Sequence, residues 1–310
     1  MKCLLCYKPL EKEEQDYHTK CISKTFDLKQ MPLIDFDETR LSNYAEQILG
    51  VHRAITGVQP KLSVWVEGKK QSQRFTIING KSNYIIKPQT EMYDALPQNE
   101  DLCMHLASEF GIKTAAHGLV KLPSGNLAYI TKRFDRVAEN KLACEDLCQL
   151  SENLTEHKDR SSYEATGKII KIYSTQSGLD ALYYFELVVF SFITANADMH
   201  LKNFSMLEDE DKQFSLSPAY DLVSTALVIK KEDGQMALAV NGRRNKITKA
   251  DFIALANNLQ LNQKQQQNVF ANFLQKQNAA LWWIENSFLP AEHKTKLTQI
   301  VTERIQLICA

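Results

Sequence analysis

Two polar residues in the segment NADMHLKNF have the types and the spacing that chemistry on a phosphate group requires. Asp198 is followed five residues later by Asn203, in a polar loop directly after a long apolar stretch. An aspartate can accept the proton of a hydroxyl group, and an amide oxygen can bind Mg²⁺. The same Asp-x4-Asn spacing occurs in the catalytic loop of protein kinases. By itself, however, the pattern favours a polar loop that caps a helix.

A second acidic residue follows this loop. Asp221 lies in AYDLVST, eighteen residues after Asn203, and segment 203–217 between them has two short apolar stretches joined by an acidic turn. This pattern predicts a β-hairpin, which would bring the chain back beside the loop. Asp221 would then be a second magnesium ligand. The alternative is an ordinary turn or N-cap residue.

A lysine and a glutamate upstream could complete a phosphate site. Lys87 ends the apolar stretch YIIK, which predicts a short strand, and Glu100 lies at the start of a predicted helix. A lysine on a strand can contact α- and β-phosphates and pair with a helix glutamate. The alternatives are a solvated lysine at a sheet edge and an acid that interacts with the helix dipole.

The elements that must position these residues divide the chain into a β-rich part and a helical part. The sequence predicts a helix over 41–50, three short strands between 61 and 87, a helix from Asn99 capped by Gly111, and a hairpin over 117–135. Helices predominate beyond 141, with three helical segments expected between 248 and 307. The predicted domains are a Cys/His unit over 1–30, an N-terminal lobe over 31–136 and a helical C-terminal lobe over 137–310.

Composition excludes several classes of protein. The chain has 37 Lys plus Arg and 37 Asp plus Glu, so no net field favours nucleic acid. The apolar stretch from Leu179 contains two acidic residues and therefore predicts a buried core helix and not a membrane span. The apolar run at the N-terminus is too short for a signal peptide. We therefore expect a cytoplasmic protein with neither direct nucleic-acid binding nor membrane binding.

Four N-terminal residues have the spacing of a metal site. Cys3, Cys6, His18 and Cys21 form Cys-x2-Cys-x11-His-x2-Cys. Thiolates and an imidazole suit a tetrahedral Zn²⁺. The alternative is two small core cysteines and a surface histidine. A zinc-bearing nucleic-acid binder is disfavoured by the balanced charge.

Seven motifs, in order over roughly residues 50–230, resemble the HipA family of bacterial kinases. They are TGVQPK, YIIKP, Asn99-Glu100, TKRFDR, EDLCQ, NADMHLKNF and AYDLVS. The resemblance implies an α+β, bilobal, protein-kinase-like fold with a small β-rich lobe and a larger helical lobe. The chain also resembles the short form of the family, HipT, which works with a small protein, HipS, and a DNA-binding antitoxin, HipB.

The resemblance also implies roles for individual residues. Asp198 would be the catalytic base, Asn203 and Asp221 would bind Mg²⁺, and Lys87, paired with Glu100, would hold the α- and β-phosphates of ATP. The remaining implied ATP contacts are a loop of Thr56, Gly57, Val58, Gln59, Pro60 and Lys61, a hinge of Lys132, Arg133 and Phe134, and the phosphate-side residues His200, Leu201 and Lys202. A single glycine in the loop matches the ordinary glycine-rich loop of kinases poorly, and a plain turn is the alternative.

These implications predict a Ser/Thr protein kinase toxin of a toxin–antitoxin module. Family substrates are aminoacyl-tRNA synthetases, phosphorylated on a serine, which stops translation. The alternative is a module that binds ATP or an antitoxin without turnover. One position departs from the family, because Ala54 stands where relatives have an autophosphorylated serine, and Thr56 is the nearest hydroxyl group.

Overall fold

The computed structural model of the chain describes residues 1–37, 40, 61–68, 72–78, 82–137, 140–229 and 234–310. The predicted helix over 41–50, Ala54 and the predicted loop residues Thr56, Gly57, Val58, Gln59 and Pro60 lie outside these ranges.

Within the described residues, the three strands up to Lys87, the helix that follows them and the next hairpin are present in the predicted order, whereas α1 and β6 to β8 were not predicted. The helices are α1 (Thr19–Phe26), α2 (Leu96–Phe110), α3 (Leu147–Leu150), α4 (Tyr163–Tyr173), α5 (Ser177–Ile193), α6 (Thr225–Val228), α7 (Lys249–Asn258), α8 (Gln263–Gln275), α9 (Gln277–Asn286) and α10 (Ala291–Cys309). The strands are β1 (Leu62–Glu67), β2 (Arg74–Ile77), β3 (Tyr84–Lys87), β4 (His117–Lys121), β5 (Leu127–Lys132), β6 (Arg136–Val137), β7 (Asn140–Lys141), β8 (Cys144–Asp146), β9 (Ser205–Glu208) and β10 (Phe214–Leu216).

The first of two compact units comprises residues 1–102, 115–134 and 286–290. It contains an antiparallel five-stranded sheet in the order β2-β1-β3-β5-β4. Alternation in LSVWVE turns Leu62 and Val64 towards the core, where both are buried. The register pairs Val64 with Tyr84 on β3, which places Lys87 at the end of a central strand.

The N-terminal residues belong to the same hydrophobic core as this sheet. Cys3, Leu5 and Phe26 are buried in one cluster with residues of β1 and β3. Gly118 on β4 permits the contact, since a Cβ there would lie 2.1 Å from Leu5 Cδ2. Packing against the sheet therefore gives this short segment a core that it could not build alone.

Helix α2 ends where the sequence predicts. Gly111 has φ of +94°, and its N–H donates to Ser108 O while the N–H of Ile112 donates to Ala107 O. This is the Schellman pattern, in which glycine takes the left-handed position without a steric cost. The helix begins at Leu96, three residues before the predicted start.

The second unit comprises residues 103–114, 135–285 and 291–310 and is mostly helical. It also contains the antiparallel sheet β10-β9-β8 and the ribbon β6-β7. The apolar helix predicted from Leu179 is α5, which is buried along most of its length and leads directly into the loop of Asp198. Among helices in the described part of the chain, none is both long and apolar enough to cross a membrane.

Two local predictions are wrong. The charged and polar stretch HKDRSSYEA over 157–165 predicts a solvated loop, but Tyr163 is fully buried and opens α4, with its hydroxyl donating to Met199 O at 3.0 Å. The stretch 248–307 contains four helices, since α8 and α9 are separate helices with the single residue Lys276 between them.

Truncation of a core side chain of α5 should destabilise the fold. Phe192 is fully buried against Phe252, with ring centroids 5.4 Å apart. We expect Phe192→Ala to lower the free energy of unfolding by about 3–5 kcal/mol, through lost burial and the cavity left behind. Tyr183→Ala on the exposed side of the same helix should change it by less than about 0.5 kcal/mol. Urea denaturation measures both, and equal effects of the two variants would contradict the packing described here.

Candidate active site

The loop that carries Asp198 is fixed by two buried side chains. Thr225 Oγ1 donates to Ala195 O and accepts from the N–H of Ala197, both at 2.9 Å. Asn196 Oδ1 accepts from the N–H of Asp198 at 3.1 Å. Thr225 and Asn196 are both buried, so these bonds are shielded from water. The backbone before Asp198 is thereby held in one conformation.

The structure brings Asp198 and Asn203 together, as their spacing predicts. Asn203 Nδ2 donates to the backbone carbonyl of Asp198 at 2.8 Å, across a short 3-10 turn over Leu201–Asn203. Asn203 is 6% exposed, whereas the side chain of Asp198 is 57% exposed. The hydrogen bond fixes the Asn203 side chain and engages its amide nitrogen. Oδ1 is then the atom that a cation would bind. The carboxylate stays accessible to a substrate.

A hairpin returns the chain to this loop. Strands β9 and β10 pair in antiparallel fashion, which confirms the predicted hairpin. Beyond it, Tyr220 Oη donates to Lys202 O at 2.9 Å and lies 2.6 Å from Ser205 Oγ. Asp221 follows in the left-handed region at φ of 58°, which aspartate tolerates better than most residues. The two segments are thus tied together next to Asp221.

The acidic groups of these segments influence each other. Although water reaches Asp198, the surrounding protein displaces part of its hydration and raises its pKa. The negative charge of Asp221 raises that pKa further, while His200 and Lys158 lower it. The charge of a divalent cation such as Mg²⁺, bound by Asn203 and Asp221, would relieve this repulsion.

Lys158 is part of this site, although no sequence pattern predicts it. Its Nζ donates to His200 Nε2 at 2.8 Å, and the same His200 nitrogen lies 3.5 Å from Asp198 Oδ1. Burial lowers the pKa of His200, and the nearby ammonium group acts in the same direction against the opposing carboxylate of Asp198. His200 Nε2 therefore accepts a hydrogen bond from the Lys158 ammonium group. No local pattern marks Lys158, which lies in a polar loop forty-two residues before His200.

Within the first unit, Lys87 and Glu100 form the predicted pair. Lys87 Nζ lies 2.6 Å from Glu100 Oε1, and the two residues are 3% and 1% exposed. The ammonium group also lies 5.4 Å from the centroid of the Tyr129 ring. The alternative of a solvated lysine at a sheet edge is wrong, because β3 is a central strand and the side chain is buried.

The remaining predicted ATP contacts are partly described. Lys61 is exposed immediately before β1. Lys132 ends β5 and Arg133 follows it, with the backbone N–H of Arg133 donating to Asn83 O at 2.8 Å. Phe134 is half-buried at the end of the same segment. Their roles as loop and hinge stay predictions.

The other three predicted phosphate-side residues lie in the loop of Asp198. His200 is buried beside Asp198, and Leu201 is buried in the 3-10 turn. Lys202 is half-buried, with its Nζ 3.4 Å from Thr155 Oγ1. Contact with phosphates stays a prediction for all three.

The four N-terminal Cys and His residues converge. The Sγ atoms of Cys3, Cys6 and Cys21 and one ring nitrogen of His18 all lie within 4.8 Å of one another. None of the three cysteines forms a disulfide. This cluster, called the Cys3His cluster below, has the donor set that the spacing predicts for zinc.

The fold and the Asp198 loop define a protein of the kinase-like α+β class. In the structural comparison, a chain of the toxin–antitoxin complex of HipA, HipB and operator DNA from Shewanella oneidensis aligns with a TM-score of 0.69 and 21% identity. That alignment covers 96% of this chain and 73% of the other. The sequence profile of the HipA-like C-terminal domain matches residues 53–281. The chain belongs to the HipA-like C-terminal domain family, which confirms the resemblance to the HipA family.

Two curated relatives are named as putative kinases. One from Haemophilus influenzae is 24% identical over 337 aligned positions, which cover 99% of this chain and 97% of the relative. A second, Y4dM from Sinorhizobium fredii, is 31% identical over 228 positions, which cover 68% of this chain. The alignment spans only 54% of that relative, so this chain matches about half of its length.

Removal of the Lys158 charge should raise the pKa of His200. In Lys158→Gln the imidazole loses the ammonium group that opposes its protonation, so its titration moves to higher pH. NMR titration of the His200 Cε1–H resonance, assigned with His200→Gln, measures the shift. Lys168→Gln, at an exposed position of α4, is the matched control and should leave the titration unchanged. An unchanged or lowered pKa in Lys158→Gln would contradict the arrangement.

Proposed function

We propose that the chain is an ATP- and Mg²⁺-dependent Ser/Thr protein kinase that acts as a HipA-type toxin. The proposal rests on the Asp198 loop, where a hydrogen bond from the Asn203 amide to the Asp198 carbonyl holds that amide beside an accessible carboxylate. A base and a metal ligand fixed in one loop are what transfer of a γ-phosphate to a hydroxyl group requires. Membership of the family and the relatives named as putative kinases support the same activity.

Each residue of the loop would have a separate role. Asp198 would accept the proton of the substrate hydroxyl group. Asn203 Oδ1 and the carboxylate of Asp221 would hold Mg²⁺, which when bound neutralises charge on the phosphates. His200 Nε2, which accepts a hydrogen bond from Lys158, would keep the charge of that ammonium group near the Asp198 carboxylate.

Lys87 would bind the α- and β-phosphates of ATP, with Glu100 fixing its position. A buried lysine retained in charged form by a 2.6 Å contact is pre-organised for an anion. The loop from Thr56 to Lys61 would cover the nucleotide, and Lys132 to Phe134 would contact the adenine. These assignments come from the resemblance, and the burial of the Lys87–Glu100 pair supports the first of them.

The proposed partners follow from the family. The Shewanella relative was solved with HipB and operator DNA, which supports a HipB-like antitoxin for this chain. A HipS-like small protein would be a second partner if the chain is the short form, HipT. The proposed target is an aminoacyl-tRNA synthetase, phosphorylated on a serine so that translation stops.

A second candidate function is binding of ATP or antitoxin without turnover. The accessible Asp198 argues against it, since a scaffold that only binds nucleotide needs the metal ligands and the phosphate lysine but no exposed base. Measured phosphate transfer separates the two candidates.

Substitution of the proposed base should abolish transfer while preserving nucleotide binding. We expect Asp198→Asn to slow transfer from γ-labelled ATP to a protein in a panel of the twenty synthetases by roughly 10²–10⁴-fold. Asp211→Asn, in the exposed turn between β9 and β10, is the matched control and should retain full activity. Equal transfer by wild type and Asp198→Asn would refute the role of the base, and ATP binding without transfer by wild type would favour the second candidate.

Thr56 is proposed as a residual site of autophosphorylation, because Ala54 has no hydroxyl group. Incubation of wild type with ATP and Mg²⁺ should add the mass of one phosphate, and Thr56→Val should remove that addition. Intact-mass spectrometry reads both, and wild type without added mass would end the hypothesis.

A further inference from the structure

The Cys3His cluster has the geometry of a tetrahedral metal site. Cys6 Sγ lies 3.3 Å and Cys21 Sγ 3.6 Å from His18 Nδ1. Ordinary Zn–S and Zn–N bond lengths at tetrahedral angles put a sulfur and a nitrogen ligand about 3.6 Å apart. Three thiolates and one imidazole are soft or borderline donors, which favour Zn²⁺ over Mg²⁺ or Ca²⁺.

The histidine is already oriented for a metal. His18 Nε2 lies 2.9 Å from Pro9 O, so this nitrogen carries the proton and donates to the carbonyl. Nδ1 is then the nitrogen that faces the three sulfurs with a lone pair. Ligand histidines in metal sites are typically fixed in this way by a hydrogen bond from the second ring nitrogen.

The residue after Cys6 connects the cluster to helix α2. Tyr7 is fully buried, and its Oη donates to Asp101 Oδ2 at 2.6 Å. His117 Nδ1 lies 2.7 Å from Asp101 Oδ1, so both oxygens of this buried carboxylate are engaged. Asp101 follows Glu100, the partner of Lys87, on the same helix. Tyr7 and Asp101 therefore connect Cys6, a residue of the Cys3His cluster, to Glu100, the partner of Lys87.

The backbone at Tyr7 needs an external restraint. Its φ is 60°, which is unfavourable for an aromatic side chain. The N-terminal segment contains only one helix of eight residues, and so short a segment cannot maintain a strained turn by its own packing. Packing against the sheet supplies part of this restraint, and bonds from a metal to Cys3 and Cys6, on the turn just before Tyr7, would add to it.

We propose that the Cys3His cluster binds one Zn²⁺, and that the metal positions the start of α2 through Tyr7 and Asp101. The first half is independent of the kinase assignment. The second half, the positioning of the start of α2, matters for ATP binding only if Lys87 and Glu100 act as proposed above. Its test measures hydrogen exchange at the start of α2 and not phosphate transfer.

Metal content tests the first half. Protein purified without chelator should contain one zinc per chain, and Cys21→Ser should lose it, whereas Cys144→Ser, outside the cluster, should retain it. If Cys21→Ser does not fold, wild type treated with chelator and then titrated with Co²⁺ under reducing conditions should develop the visible absorption of tetrahedral cobalt thiolate at one equivalent. A wild-type chain with no zinc and no such absorption would overturn the site.

Amide hydrogen exchange tests the second half. Tyr7→Phe should keep its zinc but exchange at least several-fold faster over residues 97–102, and wild type stripped of metal should show the same local increase. Amides of α5 are the internal control and should be unchanged in Tyr7→Phe. Unaltered exchange over 97–102 in zinc-bound Tyr7→Phe would overturn the positioning role.

Discussion

The hydrogen bond from the Asn203 amide to the Asp198 carbonyl is the interaction on which the proposed chemistry depends. It closes a turn whose other restraints come from the buried residues Thr225 and Asn196 on one side and the half-buried Tyr220 on the other. Because the backbone is fixed, the exposed carboxylate of Asp198 needs no packing of its own. The loop thus meets two demands that usually conflict, a defined position and access for a substrate.

The buried Lys87–Glu100 pair is better explained by function than by stability. Removal of two charges from water costs several kcal/mol, and apolar replacements of similar volume are often about as stable. An ion pair between a central strand and α2 that is at most 3% exposed therefore contributes little to the stability of the sheet. The Lys87–Glu100 pair instead suits a role in binding an anion, because Glu100 keeps the ammonium group of Lys87 charged and in a fixed position. Asp101, the next residue on α2, is engaged on both oxygens, which fixes the helix that carries Glu100.

Sequence patterns predicted the features that depend on neighbours along the chain. Alternation predicted the strand that contains Val64, and a single glycine predicted the end of α2 at Gly111, because these signals are local. Tyr163 was placed wrongly, since burial of one aromatic residue among charged neighbours is decided by tertiary packing. Lys158 was missed for a similar reason, because its contact with His200 spans forty-two residues and a lysine in a polar loop has no distinguishing pattern.

The claim that Asp198, Asn203 and Asp221 surround a nucleotide-bound cation can be tested with paramagnetic Mn²⁺ in place of Mg²⁺. In the presence of ATP, one equivalent of Mn²⁺ should broaden the amide resonances of residues 198–204 and 220–222 first, because relaxation falls steeply with distance from the metal. The effect should vanish in Asp221→Asn. Broadening that is centred on another part of the chain, or that persists unchanged in this variant, would contradict the account.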